Sequence, residues 1–183
     1  MKELFVKYES VIRFIVTFLL VYVVFSAFYH LYLKVSDGSK FYPDYLTHLV
    51  AKQTDVLLNG FGYNAQMFPH PNEPSIKVIL NGKYLARVIE GCNSVSVIIL
   101  FMSFIIAFSG KLKTTLLFIL SGSVLIYAAN LLRIALFTIA LYHYPQRQAV
   151  LHDIVFPAVI YGFVFLLWIF WVNRFSNLKK VHE

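Results

Sequence analysis

A single cysteine, Cys92, occurs in the 183 residues, so no disulfide can staple the chain to itself. No C-x-x-C or H-E-x-x-H spacing is present, so Cys92, His143 and His152 do not read as zinc ligands, and neither a metal nor a cofactor is expected. Charged residues make up 14% while hydrophobic ones reach 59%, which excludes an ordinary soluble domain and fits several bilayer crossings. Acidic residues are scarce, 9 against 16 lysines and arginines, for a net charge of +7. No basic stripe stands apart from the apolar runs, so no nucleic-acid partner is expected; the cations flank membrane segments instead. Internal repeats, low-complexity tracts and flexible linkers are all missing. One membrane domain over residues 1–183 is expected.

Four apolar runs are present, at about residues 11–33, 93–109, 115–142 and 152–172. The first is long and lacks a small-residue cleavage site before Val35, so it reads as an uncleaved anchor rather than a signal peptide. The basic N-terminus, the Lys111/Lys113 turn and the tail with Arg174, Lys179 and Lys180 belong in the cytoplasm by the positive-inside bias. Residues 34–91 then form an external cap, and Trp168 and Trp171 fall at the inner interface. Within the cap, residues 42–58 place Tyr45, Leu46, Leu49, Val50, Gln53, Val56 and Leu57 near one helical face, with Pro43 in the first turn and Gly60 as the stop. Asn81-Gly82 between β-prone runs predicts a hairpin that delivers the chain to Glu90-Gly91-Cys92. The expected fold is an all-α integral membrane protein of about four transmembrane helices with a small external amphipathic helix and β-hairpin.

Depth arithmetic links three scattered residues. A helix rises about 1.5 Å per residue and the hydrocarbon core is about 30 Å thick. Ser109 back to Cys92 is then about 26 Å, Thr115 out to Arg133 about 27 Å, and Trp171 back to His152 about 28 Å. All three reach the outer boundary. That position also explains Arg133, which at the centre of a span would cost about 2.5–3.5 kcal/mol by insertion scales. The stretch 134–144 either continues the helix or bends along the surface.

A thiol, a fixed cation and an imidazole at one depth are the parts of a nucleophilic site. Cys92 is placed at a helix start, with Asn93 and Ser94 able to cap; free amides there favour negative charge on sulfur, which Glu90 opposes. The bland alternative is a packed cysteine. His152 is the candidate base and acid, against an interfacial histidine capping a helix; His143 is a weaker competitor. Asp153 either orients His152 or serves as a helix-start carboxylate. Arg133 would stabilise charge on a substrate carbonyl or hold a substrate carboxylate, against a guanidinium snorkelling to headgroups. Asn130, one turn earlier on the same helix face, can point into the same cleft.

The segments Glu90-Gly91-Cys92-Asn93-Ser94-Val95, Asn130-Leu131-Leu132-Arg133-Ile134 and His152-Asp153, in that order, resemble the exosortase/archaeosortase family. Size and layout are most similar to its short exosortase F-like members, and the resemblance covers about residues 85–172. It implies a sortase-like cysteine peptidase or transpeptidase in the bacterial inner membrane, with Cys92, Arg133 and His152 as the catalytic trio facing the periplasm. The implied partners are exported proteins ending in a sorting signal: a short motif, a transmembrane helix and a basic tail. Many members carry glycine where this chain has Ser94. The competing reading is a non-enzymatic membrane scaffold or small permease, with Arg133 as a structural or substrate-binding cation. Thiol behaviour separates the two.

Overall fold

Apolar runs set the frame, and the polar region between the first two builds a cap upon it. The computed structural model describes residues 8–36, 41–108 and 110–175. Ser109 and the basic residues Lys2, Lys7, Lys179 and Lys180 lie outside the described residues.

Helix α1 (Glu9–Ser36) has Glu9 in its first turn and Lys34 in its last, matching the helix dipole, and none of its side chains is buried. Its apolar surface suits lipid rather than a protein core. Helix α2 (Tyr45–Gly60) begins three residues later than the sequence suggested. Asp44, not the Pro43 turn, starts it: its Oδ1 accepts from Thr47 N at 3.0 Å. The buried stripe of α2 is Thr47, Val50, Ala51, Thr54 and Leu58, while Val56, expected inside, is exposed.

Three antiparallel strands follow in the order β1 (Ala65–Pro69), β2 (Ser75–Leu80) and β3 (Lys83–Ile89). Asn81 and Gly82 both take positive φ, 50° and 78°, as a two-residue hairpin turn needs. The hairpin was legible, whereas β1 was not. Its pairing with β2 is fixed by Asn59, which closes α2 onto β1 by accepting from Ala65 N at 3.1 Å. On β3 the register slips after Val78, leaving Leu85 as an unpaired bulge residue.

Helix α3 (Val95–Ala107) is 13 residues, shorter than the range 93–109 and, at about 20 Å, shorter than the bilayer core. Among the described residues, three helical stretches are long and apolar enough to cross a membrane: Glu9–Ser36, Leu112–His143 and Pro145–Arg174. Helix α4 (Leu112–His143) continues unbroken through 134–143, which settles the course of that stretch as helix. After it come a 3₁₀ turn (Pro145–Arg147), one turn of helix (Gln148–Val150), a π-helical turn (Leu151–Val155) and α5 (Phe156–Arg174).

Two apolar clusters hold these elements. The inner one packs Phe101 and Ile105 of α3 against Ile126 of α4 and Ile160, Val164 and Trp171 of α5. Gly122 lets α4 approach α3 there, since a Cβ at this position would overlap the Phe101 ring. At the far end the Trp171 indole donates to the Phe108 carbonyl at 3.2 Å. The outer cluster packs α2 and the sheet (Val50, Leu58, Ile76, Val78, Leu80, Val88) on Ile134 and Ala135 of α4. Helix α4 thus serves both clusters, and Cys92 and Leu131 pack at the edge of the outer one.

Candidate active site

Chain direction reverses in the few residues between β3 and α3. Glu90–Cys92 form one 3₁₀ turn, and α3 starts only at Val95. Cys92 therefore ends a tight turn instead of opening the α-helix, which corrects the expected placement. The break arises at Ser94, whose φ of 66° is left-handed and cannot continue a right-handed helix.

The expected caps divide their work differently from the sequence reading. Ser94 makes no cap bond to α3; its hydroxyl donates to the Asn93 carbonyl at 2.6 Å. Asn93 does the capping, its Oδ1 accepting from Val95 N at 3.0 Å. Asn93 is also a buried hub, because its Nδ2 donates to the Tyr29 hydroxyl at 2.7 Å and to Thr47 Oγ1 at 3.2 Å. Tyr29 in turn donates to the Glu90 carbonyl at 3.4 Å. The third clamp is Asn130, whose Nδ2 donates to the Cys92 carbonyl at 2.7 Å. Helices α1, α2 and α4 thus each hold the turn through a polar side chain. Buried polar groups need such partners, so each bond also fixes position.

Cys92, Arg133 and His152 border one cavity of about 260 Å³. Cys92 is half-buried, as is Arg133. Arg133 carries neither an ion pair nor a hydrogen bond among the described residues. The second arginine on this cavity, Arg87, is already paired with Glu73, so Arg133 supplies the unneutralised positive charge. His152 is exposed, with its ring tilted against Phe137 at 5.8 Å. Its Nδ1 lies 2.7 Å from Asp153 Oδ1. Of the two roles the sequence left open for Asp153, this contact fits the one that orients His152. With Nδ1–H donating to the carboxylate, Nε2 is left to act as a base. His143 stands elsewhere, its Nε2 3.1 Å from the Tyr63 hydroxyl, and it does not border this cavity.

Several neighbours were not visible in the sequence. Tyr29 and Thr47 reach the turn from 64 and 46 residues away, a separation no local pattern encodes. Phe137 was detectable in principle: it lies four residues after Arg133, on the same helical stripe. A second cavity of about 420 Å³ adjoins the first, and Ala86, Arg87, Phe137 and His152 border both.

A family model described as transmembrane exosortase matches residues 7–172, nearly the whole chain. Neither the curated proteins nor the solved structures contain a match.

Proposed function

Because the chain belongs to the transmembrane exosortase family, we propose that this membrane protein is a cysteine peptidase or transpeptidase acting on C-terminal sorting signals of exported proteins. The observation that carries the reading is the meeting of Cys92, Arg133 and His152 on one cavity, although 41 residues separate the first two in sequence and 19 the second and third.

In this mechanism His152 Nε2 takes the thiol proton as Cys92 Sγ attacks the scissile carbonyl. The tetrahedral oxyanion forms beside Arg133, whose charge no carboxylate among the described residues neutralises in advance. Collapse expels the amine, which receives its proton from His152, and leaves a thioester on Cys92. Water, or the amine of an acceptor, then attacks the thioester and restores the thiol. Asp153 holds the imidazole, and Asn130 and Asn93 hold the turn. Each of these is a positioning role.

The protein sits in the bacterial inner membrane with both termini in the cytoplasm and the cavity facing the periplasm. A substrate whose own membrane helix lies in the same bilayer then presents its motif at the depth of Cys92 without leaving the lipid. The test is to trap substrate on Cys92 in native membranes and identify it by mass spectrometry. A host protein joined by thioester near the start of its C-terminal membrane helix is expected. Full processing by Cys92→Ala would leave the scaffold or permease reading.

A further inference from the structure

Strand β3 ends the sheet, with β2 on one side and, among the described residues, no strand on the other. An edge of this kind offers unpaired N–H and C=O groups to any extended chain. The residues of β3 that border the two adjoining cavities run consecutively: Tyr84, Leu85, Ala86 and Arg87 on the outer one, Ala86 through Ile89 on the inner. A sheet face would contribute every second residue. Leu85 is the bulge residue, but Ala86 through Ile89 still run without a gap, so the edge of β3 borders the space, together with Val78 on the face of β2.

The opposite wall is one stripe of α4. Leu141 and Phe137 border the outer cavity, and Phe137 and Arg133 the inner one, at a helical spacing of four. The two walls therefore run together, from Tyr84 facing Leu141 at one end to Cys92 facing Arg133 at the other. Tyr84 to Ile89 extends about 17 Å along a strand. Leu141 to Arg133 covers about 12 Å of helix. Both lengths suit about four or five residues of extended peptide.

We propose that the free edge of β3 is the docking strand for the substrate, which adds to the sheet as a fourth strand and delivers its scissile bond to Cys92. This rests on the proposed function, and it specifies the direction of binding. The part of a sorting signal after the cleaved bond descends into the bilayer, so the part before it runs outward along β3, from Cys92 back toward Tyr84. Peptide and β3 then share one N-to-C direction, which makes the new pairing parallel. Main-chain bonds supply the affinity and alternate side-chain pockets the selectivity. The residue next to the bond enters a chamber lined by Val78, Val88, Ile134 and Phe156, so it is apolar. A trough closed by α4 on its far side has room for one chain, and not for the sheet of a second copy.

The test uses the full-length protein in membranes, carrying Cys92→Ser with a new cysteine in place of Tyr84 or Arg87, both exposed. The probe is the host protein recovered on Cys92, made with a single cysteine at each position of the five or so before its cleaved bond. Arg87→Cys should cross-link at a position nearer the bond than Tyr84→Cys, each with at least a tenfold preference over neighbouring positions. The reverse order would overturn the parallel pairing. Absence of cross-links to either position, while the protein with its native Cys92 still forms the adduct in parallel, would overturn the docking strand and leave the peptidase intact. Failure to form any Cys92 adduct would remove the peptidase reading itself.

Discussion

The side-chain amide of Asn130 donates to the backbone carbonyl of Cys92 across 2.7 Å, so the longest helix among the described residues grips the turn that carries the thiol. One hydrogen bond of this type contributes about 0.5–1.5 kcal/mol, and a misplacement of about 1 Å at a reacting group can cost on the order of a hundredfold in rate. Asn130→Ala should therefore lower substrate processing by about 10- to 100-fold while the protein remains inserted. Processing rate and membrane abundance, measured together, check this. An unchanged rate would show that the turn holds its shape without α4.

Arg133→Lys should lose most activity, by about 100-fold if the guanidinium stabilises the oxyanion as donors in other enzymes do. An ammonium keeps the charge but not the planar fork of donors. The readout is the acylation rate of Cys92 by the trapped substrate, against labelling of the same thiol by a small haloacetamide. Equal loss in both assays would point to a collapsed cavity in place of lost carbonyl recognition.

Asp153→Asn keeps the size of the partner 2.7 Å from His152 Nδ1 while removing its charge. An amide can accept or donate, so the tautomer with Nε2 free is no longer enforced. Because the pair is exposed, a loss of about tenfold is expected, far below the 10⁴ or so seen where such a pair is sealed from water. Single-turnover acylation measures it. A rate equal to the native one would make Asp153 a surface carboxylate.

Ser94 holds φ at 66°, a region that an L side chain enters at a cost of about 1–2 kcal/mol. Ser94→Gly should therefore keep activity and leave thermal stability level or raised, the lost hydroxyl bond offsetting part of the gain. Ser94→Val should destabilise, because a branched side chain tolerates this backbone worst. Melting in detergent with parallel processing assays checks both. The left-handed turn also gives a physical reason for glycine at this place in many family members.

Reporters fused after Leu112 and at the C-terminus should read cytoplasmic, and one near Asn59 should read external, following the basic turns. A cytoplasmic signal at Asn59 would move the cavity to the other side of the membrane.

Long-range order was legible in the sequence where a single physical rule acted alone. Apolar length marked the helices Glu9–Ser36 and Leu112–His143, and Asn81-Gly82 marked the hairpin. The rule failed where polar residues turned inward. Thr47 and Thr54 take buried positions on α2 that a hydrophobic count assigns to Leu49 or Val56, and Thr47 does so while holding Asn93. Strand β1 has too few β-prone residues to announce itself and exists because β2 offers it an edge. Depth counting brought Cys92, Arg133 and His152 to one level, but it carries no angular information. Which side chains face one another depends on crossing helices, and the clamps from Tyr29 and Thr47 depend on contacts across much of the chain.

Helix α4 contributes Ile126 to the cluster among the membrane helices and Ile134 and Ala135 to the cluster beneath the sheet. The cap is consequently not a detachable module. A chimera that exchanged residues 41–89 with a relative would keep one wall of the trough and replace the other, and the stripe Arg133, Phe137 and Leu141 would face a foreign strand. Functional exchange requires the sheet, the Glu90–Val95 turn and the outer half of α4 to travel together. If β3 docks the substrate as proposed, specificity is a joint property of the long helix α4 and the strand β3, and the two are constrained to change as a pair.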